Sequence, residues 1–406
     1  MSYFGQVLAN LGFRNQKSVD GRLRISQQIS LGDYKQYLNN AGGQYNTELI
    51  GEGLSTYEGN VIGGSTFTTT DSADVVIRQT YQWHNYFAGK PQKIELTTSR
   101  FDKQTNITKR LGYYSSNTTT PFNSTLDGLF FESTDAGIYC KIYRAGTEIF
   151  SLEQANWLNQ NELTNYDPTD FNFHKIEFLY LGGVIANFWI ATEHGMTLIA
   201  SYEHIGVDHN AFIKSPNQPV RYEMRQTGVG TGEFNQICAD VATEGQSSIM
   251  GVNNSYNTDG NKLTSLSTNV RYAMLGIRQK AASRNVPLIL TGGSILSTTN
   301  DDMLLEIFFG GTTVGTPTWG STPFTNVEHF SSASDIAGGN SQRVHSGGVL
   351  IYSAYMQGGD AITNTIQTIR RLGSYIDGQT EEMYICITSL TSNGGGYGAV
   401  NWVEFI

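Results

Sequence analysis

The sequence predicts an all-β protein with antiparallel β-sandwich or jelly-roll domains and an extended N-terminal arm. The composition favours strands and tight turns, because Gly makes up 45 of the 406 residues while charged residues make up only 15%, against ~25% in typical globular domains. Runs in which apolar and polar side chains alternate recur along the chain, for example at residues 93–98 and 220–226. Alternation with a period of two is typical of strands with one wet face.

The chain length and the distribution of strand-like runs predict two β domains behind a less regular segment. Single hydrophobic cores stop growing near ~250–300 residues, and this chain has 406. We assign residues 1–80 to an N-terminal arm or attachment segment, 81–245 to a jelly-roll-like β-sandwich, 246–265 to a polar linker and 266–406 to a second β-sandwich. The turn-rich composition of residues 1–80 favours an arm that orders on a partner, and an irregular subdomain folded on its own chain is an equal alternative.

Several local patterns predict individual elements. Residues 174–181 and 184–191 are apolar runs separated by Gly-Gly, which predicts a hairpin. The Gly-rich residues 228–232 lie between two strand patterns and predict a flexible hairpin loop, not a dinucleotide-binding motif. Residues 363–372 fit a helix or a strand, and their Thr-rich flank favours the strand. The last run, 400–406, predicts a strand that is paired and buried.

Charge and cysteine content exclude several partners. The net charge of −10 disfavours binding to nucleic acid and to anionic membranes. No apolar run approaches the ~20 residues needed to span a bilayer, which predicts no membrane insertion. The three cysteines, Cys140, Cys238 and Cys386, lie in apolar strand-like runs and are predicted to be buried free thiols and not a disulfide framework.

No pattern in the sequence indicates catalysis, a metal ion or a cofactor. The densest group of histidines, at residues 193–209, contains no H-x-H motif, and strand ligands converge only at a spacing of two or across a hairpin. Asp167 with Asp170, and Asp301 with Asp302, suit turn capping better than catalysis. We therefore predict that the protein is not an enzyme and holds no metal or cofactor. A glycosidase with two carboxylates ~5–9 Å apart in a cleft is the remaining enzymatic alternative.

Aromatic side chains are the one positive indication of a binding surface. Flat rings beside Asn, Gln and Thr suit glycan stacking and hydrogen bonding. They equally suit a subunit interface, where Tyr and Trp are enriched, or ordinary core packing. The candidate interface or glycan contacts are Tyr81, Trp83, Tyr86, Tyr113, Tyr114 and Trp319.

Residues 220–226 also predict a row of ion pairs. Arg221, Glu223 and Arg225 share one face of this strand, while the residues between them share the other face. Charges that alternate in sign along one face predict cross-strand or inter-subunit salt bridges.

Four strings between residues 172 and 245 carry a resemblance to a known family. They are Phe-Leu-Tyr-Leu-Gly-Gly-Val at 178–184, Glu-His-Gly at 193–195, Asn-Gln-Pro-Val-Arg-Tyr-Glu at 217–223 and Ile-Cys-Ala-Asp-Val-Ala-Thr-Glu-Gly at 237–245. This region resembles a family of virion-associated structural proteins of tailed bacteriophages, described as structural or fibre-like. Weaker strings at 107–115 and 400–404 extend the resemblance to about residues 80–406. The family brings no catalytic residues.

The resemblance implies a structural component of a bacteriophage virion, such as a tail, baseplate or fibre-associated protein, that is assembled in the host cytoplasm. The expected partners are further copies of the chain, with a trimer as our hypothesis by analogy with fibre-like proteins, and other virion proteins through residues 1–80. One alternative is a glycan-binding receptor-recognition module on the virion surface, with host surface glycan as partner. Another is a capsid decoration or head fibre protein.

Overall fold

The computed structural model shows two compact, strand-rich units. The first comprises residues 1–80 and 84–248, and the second comprises residues 81–83 and 249–406. Two strand-rich domains were predicted at 81–245 and 266–406, whereas the described residues from 27 to 80 also belong to the first unit. The structure describes residues 27–37, 39, 43–59, 61–116, 125–181, 185–193, 195–245, 251–321, 325–332, 343–364, 371–391 and 394–405.

Strands dominate both units, and the prediction of an antiparallel all-β protein is confirmed. The first unit contains β1 (Gln28–Tyr34), β2 (Tyr45–Ile50), β3 (Leu54–Glu58), β4 (Gly64–Thr69), β5 (Val75–Thr80), β6 (Gln92–Ser99), β7 (Ile107–Ser115), β8 (Asp127–Ser133), β9 (Ile138–Arg144), β10 (Thr147–Glu153), β11 (Asn172–Leu179), β12 (Ile185–Thr192), β13 (Gly195–Glu203), β14 (Val220–Gln226) and β15 (Gly232–Glu244). The second contains β16 (Val252–Asn257), β17 (Leu263–Leu266), β18 (Arg271–Gln279), β19 (Leu288–Ser297), β20 (Met303–Phe309), β21 (Thr312–Thr313), β22 (Gly320–Ser321), β23 (Val327–Ser331), β24 (His345–Ser346), β25 (Val349–Met356), β26 (Ala361–Asn364), β27 (Glu382–Ser389) and β28 (Gly394–Glu404). Short 3₁₀ helices lie at Gln154–Asn156, Gln160–Glu162 and Ala281–Ser283.

The first unit is a sandwich of two antiparallel sheets. Sheet 1 has the strand order β13-β12-β11-β6-β15-β4-β3, with β1 also paired to β15, and sheet 2 has the order β10-β9-β8-β7-β14-β5-β2. Successive strands cross between the sheets several times, as from β4 to β5 and from β14 to β15, which is the connectivity of jelly-roll folds. One hydrophobic core joins both sheets.

Aromatic side chains connect the two sheets across this core. Phe131 on sheet 2 packs edge-on against Phe188 on sheet 1, with ring centroids 5.4 Å apart. Tyr113 and Phe178 form a second contact of this kind at 5.8 Å. Aromatic pairs contribute about 0.5–1.5 kcal/mol beyond the area that they bury, so these contacts help to fix the two sheets against each other.

The predicted N-terminal arm is wrong for the described residues between 27 and 80. Strand β5 lies inside sheet 2, between β14 and β2, and β4 lies inside sheet 1 beside β15. The glycines at 63 and 64 indicated a turn, but Gly64 begins a strand, where a Cβ would lie 2.3 Å from the carbonyl oxygen of Gln236. The glycine is needed there for close packing of backbone, and residues 1–26 lie outside the described residues.

The predicted hairpin of residues 174–191 is confirmed, because β11 and β12 pair in antiparallel register. Its Gly-Gly turn lies outside the described residues. The prediction for residues 228–232 is wrong in one respect: β14 and β15 belong to different sheets, so this loop crosses between the sheets and is not a hairpin turn. The side-chain amide of Gln226 donates to the carbonyl oxygens of Gly228 and Gly230, which holds the crossing.

The second unit is a smaller sandwich around its own core. Sheet 3 has the order β16-β28-β19-β26, with β17 also on β28, and sheet 4 has the order β22-β23-β18-β27-β20-β25. A core that includes Ile277, Ile385 and Trp402 lies between them. The predicted C-terminal strand is confirmed, since β28 is paired on both sides.

The predicted linker at 246–265 is wrong for its described part. Strands β16 and β17 both pair with β28. Their Asn-rich and Ser-rich sequence indicated a loop, but β16 is an edge strand with mostly exposed side chains, and such a strand does not require apolar residues. For residues 363–372, strand β26 confirms the predicted strand at its start, Leu372 forms a single bridge with Leu288, and residues 365–370 lie outside the described residues.

His174 on β11 is an imidazole buried among aromatic rings. Phe131, Phe101 and Tyr166 surround it at centroid distances of 4.8, 5.7 and 6.5 Å. Among the described residues neither ring nitrogen has a hydrogen-bond partner, and burial lowers the pKa of His174 to about 3. The side chain is therefore neutral in the folded protein over the whole physiological range.

We predict that His174→Phe makes the first unit less sensitive to acid. Between pH ~6.5 and about 3 the unfolded chain binds a proton at His174 that the folded chain does not, so stability falls as the pH falls through this window. The variant removes up to about 1.4 kcal/mol of this loss per pH unit. Urea unfolding at pH 7 and pH 5, followed by hydrogen exchange in β11 peptides, measures how the free energy of unfolding depends on pH.

The matched control is His209→Phe, in which the replaced ring is exposed and changes its surroundings little on unfolding. It should leave the pH dependence of stability unchanged. An equal pH dependence in wild type and His174→Phe would contradict the prediction.

Candidate functional site

A row of charged side chains crosses sheet 2 on the face opposite the core. Arg110 on β7 lies between Glu223 on β14 and Glu132 on β8, with nitrogen–oxygen distances of 3.2 and 2.7 Å. Lys141 on β9 continues the row at 3.0 Å from Glu132 and 3.0 Å from Glu148. The cross-strand salt bridges predicted from residues 220–226 are thereby confirmed.

The row contains as many positive as negative charges. Arg221 pairs with Glu223 at its other end, so three cations face three carboxylates. Burial raises the pKa of the Glu132 carboxyl, but the charges of Arg110 and Lys141 outweigh burial and hold that pKa below its ordinary value. Glu132 is therefore ionised at neutral pH and cannot serve as a proton donor. The row binds strands to each other and leaves no unbalanced charge for a ligand.

Three of the six aromatic candidates are buried, so their rings are not exposed stacking surfaces. Tyr113 lies in the core of the first unit, where its hydroxyl donates to the carbonyl oxygen of His84. Tyr114 packs against Phe130 on the opposite face of the sheet. Trp83, which belongs to the second unit, donates from Nε1 to the Ser374 hydroxyl. All three side chains are packed in a core, which was one of the alternatives that the sequence left open.

The other three candidates are partly exposed, and each ring is already engaged. Tyr86 stacks on Phe178 with a centroid distance of 5.5 Å. Tyr81 packs edge-on against Tyr375. Trp319 carries the guanidinium of Arg278 over its ring at 4.3 Å. Each of these three rings is less exposed than the ring of Tyr355 in the second unit.

His204 is the buried member of the histidine-rich segment at 193–209 among the described residues. Buried His204 bonds through its ring to Tyr202 and to the carbonyl oxygen of Asn210. Asp167, one of the paired carboxylates, accepts from Thr169 within its turn. Among the described residues no group of three His, Cys, Asp or Glu side chains converges as a metal ion would require.

A candidate site is a groove in the second unit, which we call groove A. It has a volume of about 350 Å³ and is lined by Asp302, Tyr355, Met356, Gln357 and Leu390. Tyr355 on edge strand β25 is 76% exposed, the most open tyrosine of the described residues, and buried Met356 lies beneath the groove. The tyrosine therefore presents an aromatic surface beside polar groups.

The polar groups of groove A are arranged around this ring. Asp302 accepts the backbone N–H of Gly358 at 3.2 Å through Oδ1, while Oδ2 has no protein partner among the described residues. The Tyr355 hydroxyl and the Gln357 amide have none there either. One carboxylate oxygen, one hydroxyl and one amide are thus available to hydrogen-bond a ligand that lies on the ring.

Two turns that pack tightly on each other hold this geometry. The β25–β26 turn approaches the β19–β20 turn so closely that a Cβ at Gly358 would lie 2.1 Å from the backbone of Asn300. The neighbouring Asp301 accepts a hydrogen bond from the Thr391 hydroxyl at 2.8 Å. The aspartate pair at 301–302 was predicted to cap a turn, and it does so while also placing Asp302 in groove A.

Sequence reasoning missed Tyr355. It belongs to a strand pattern in which Tyr352 and Tyr355 look alike, but Tyr352 packs against the core of the second unit while Tyr355 is exposed. A cue was present in Gln357-Gly358-Gly359-Asp360, since a turn rich in Gly and Asp after an aromatic strand end is a frequent place for binding residues.

We predict that Arg110→Met destabilises the first unit by about 3–5 kcal/mol, because it leaves buried Glu223 and Glu132 without their shared cation. Urea unfolding measures the loss. The control Lys35→Met breaks the exposed pair with Asp33 and should change stability little, since exposed pairs are screened by water. Equal losses in the two variants would show that the row is not a buried network.

Comparisons with known proteins give fold-level similarities only. No family model matches this chain, and no curated protein matches it. Among solved structures, a protein of unknown function from Shewanella oneidensis is 10% identical, with 62% of this chain and 98% of that chain covered and a TM-score of 0.38. A β-glucanase from Bacillus licheniformis is 9% identical, with 53% and 99% covered and a TM-score of 0.35.

A legume lectin-like domain from Entamoeba histolytica is 10% identical, with 52% and 97% covered and a TM-score of 0.33. At these identities and TM-scores no function is transferred to this chain. In the part of the chain that the structure describes, no helix is long and apolar enough to cross a membrane.

Proposed function

We propose that this protein binds carbohydrate through groove A of its second unit, without catalysing a reaction on it. The observation that carries the proposal is the exposed ring of Tyr355 beside the unengaged groups of Asp302 and Gln357. An aromatic face accommodates the apolar C–H face of a sugar ring, and the few polar groups around it fix the orientation of the hydroxyls. This is the glycan-binding alternative considered from the sequence, at a different set of residues.

The chemistry of groove A supports binding over hydrolysis. Glycosidases place two carboxyl groups on either side of the bond to be broken and keep one of them protonated. Among the described residues, Asp302 is the one carboxylate that lines groove A, and the Asp301 side chain accepts a hydrogen bond from Thr391. In sheet 2, Glu132 and Glu223 share Arg110, and the charges of Arg110 and Lys141 hold the pKa of the Glu132 carboxyl below its ordinary value.

We predict that wild-type protein binds on a glycan array and that Tyr355→Ala and Asp302→Asn each weaken this binding by roughly 10–100-fold. A hydrogen bond to a charged group contributes about 1.5–3 kcal/mol, which corresponds to that range. Calorimetric titration with the best array ligand measures the affinity. Because no catalysis is proposed, chromatography of the ligand after incubation should show no hydrolysis.

Tyr37→Ala is the matched control, because this tyrosine is 70% exposed but lies in the first unit. It should bind the ligand as wild type does. The absence of any array signal, or equal affinity in wild type and both groove variants, would refute the proposal.

A second candidate function is that of a structural subunit that assembles through a sheet edge. Edge strand β25 has the sequence Val-Leu-Ile-Tyr-Ser-Ala-Tyr-Met, without a charged residue, Pro or Gly. Val349 and Leu350 are 50% and 48% exposed, and within the described residues no strand pairs with the outer edge of β25. Natural edge strands usually carry charges that prevent pairing, so this edge is suited to add a strand from a second copy.

The lack of charge on β25 favours a second copy as its partner. The chain has a net charge of −10, which opposes self-association, and a neutral edge is where two copies approach with least repulsion. The resemblance of residues 172–245 to virion structural proteins supports placing such an assembly in a virus particle. Mass spectrometry of purified particles, in which the chain should be a stoichiometric component, tests that placement.

We predict that Leu350→Lys converts the protein from an oligomer to a monomer, because a lysine on an edge strand opposes strand addition. Light scattering over a concentration series measures the mass. The control Val314→Lys changes a 66% exposed loop residue of the same unit and should remain oligomeric. A wild-type chain that stays monomeric at all concentrations would contradict this second candidate.

A further inference from the structure

A second groove is lined by residues that adjoin the same pair of turns as groove A. This groove B has a volume of about 460 Å³ and is open along sheet 3. Leu296 on β19 and Tyr397 on β28 pair in register and form part of its floor. Leu296 is 43% exposed and Tyr397 is half-buried, so groove B also combines an aromatic ring with apolar surface.

Small side chains create the space in groove B. Ser294 and Ala399 pair in register on adjacent strands, and Ala361 on β26 lies next to Leu296. The side-chain amide nitrogen of Asn257 at the rim has no partner among the described residues, while its Oδ1 accepts the N–H of Asp259. Groove B therefore offers hydrogen-bonding groups as well as apolar surface.

The wall of groove B is a tight turn in the segment predicted to be a linker. Asp259 and Gly260 both have positive φ values, 50° and 69°, and Asn261 N–H donates to the Thr258 carbonyl oxygen at 2.8 Å. Positive φ at both central positions is the pattern of a type I′ turn, which Asp-Gly favours. The turn stands beside the sheet as an ordered wall.

The same two turns adjoin lining residues of both grooves. Gln357 lines groove A and Ala361 lines groove B, four positions further along the chain, which spans at most ~14 Å. The turns are tied together by the N–H of Ser297 on the carbonyl oxygen of Asp360 at 3.0 Å. They are also tied by the Gly358 N–H on Asp302. One ligand can therefore extend from groove A to groove B across these two turns.

The charge of the two turns limits the class of ligand. Asp301, Asp302 and Asp360 are all in these turns. Lys262 is a cation close to the turn at 259–260, and its Cε lies 2.9 Å from the position that a Cβ on Gly395 would take. The excess of carboxylates, on a chain of net charge −10, repels sulfated or sialylated chains. It leaves hydrogen bonding to neutral hydroxyls unaffected.

We infer that grooves A and B form one extended site for an uncharged oligosaccharide of several sugar residues. The inference rests on the proposed function and deepens it, because it specifies a chain ligand and not a single sugar. Two grooves that bind parts of one molecule act with a high effective concentration for the second contact. Affinity should therefore rise with chain length until both grooves are filled.

The test is calorimetric titration of the full chain with neutral disaccharides and hexasaccharides of the manno-, malto-, cello- and chito-series, and with a sialylated hexasaccharide. We expect at least one neutral hexasaccharide to bind roughly tenfold or more tightly than its disaccharide, and the sialylated chain not to bind. Tyr397→Ala and Ala361→Arg, which remove the ring and fill groove B, should reduce hexasaccharide affinity to that of the disaccharide. Disaccharide affinity should not change.

Val314→Arg, at an exposed loop position outside both grooves, is the control and should bind as wild type does. Equal affinity for both lengths, or groove B variants that bind the hexasaccharide normally, would overturn the extended site and leave the proposed function intact. Binding of the sialylated chain alone would overturn the ligand class. Failure of every saccharide to bind would overturn the proposed function and this inference together.

Discussion

In the middle strands of sheet 2, the side chains on both faces are withdrawn from water. Strand β5 is buried along its whole length, and β14 is buried at every position except Arg225. One face can be apolar, because it meets sheet 1 across the shared core. The other face carries charged residues, and a buried charge is tolerated only when it is paired. The ion-pair row from Arg221 to Lys141 pairs such charges and links β14, β7, β8 and β9 to one another.

The second unit meets the same requirement differently. Its buried carboxylate Glu404 accepts from the Trp402 indole, from the Asn254 amide, and from both the backbone and the side chain of Asn326. Hydrogen-bond donors, and not cations, satisfy this charge. They join β16, β28 and the chain before β23, which gives sheet 3 a firm end. Binding residues can then be carried by turns at another edge of the unit without loss of order.

The sequence predicts the fold class, most strands after residue 81 and the charged face of β14, because alternation and charge order are local patterns. It does not predict that β4, β5 and β16 are strands. Gly64 of β4 and the asparagines of β16 resemble turn sequences, and pairing with distant strands decides the conformation of both segments. Strand β5, Val-Val-Ile-Arg-Gln-Thr, has a strand-like sequence that was assigned to the arm with its turn-rich neighbours. It also cannot distinguish Tyr113, which is fully buried, from Tyr355, which is 76% exposed, since burial depends on where each strand lies in its sheet. Both grooves combine residues that are distant in sequence, so the local cue at residues 357–360 does not define either groove.

The uncharged edge of β25 has a consequence for symmetry. An antiparallel contact between this edge and the same edge of a second copy is isologous, so each chain uses its edge once and the pair closes. Such a contact produces two-fold assemblies and cannot by itself produce a ring of three. A three-fold particle component, as fibre-like proteins suggest, would need a second, heterologous contact elsewhere on the chain. The two contacts together would then generate six-chain assemblies built from pairs.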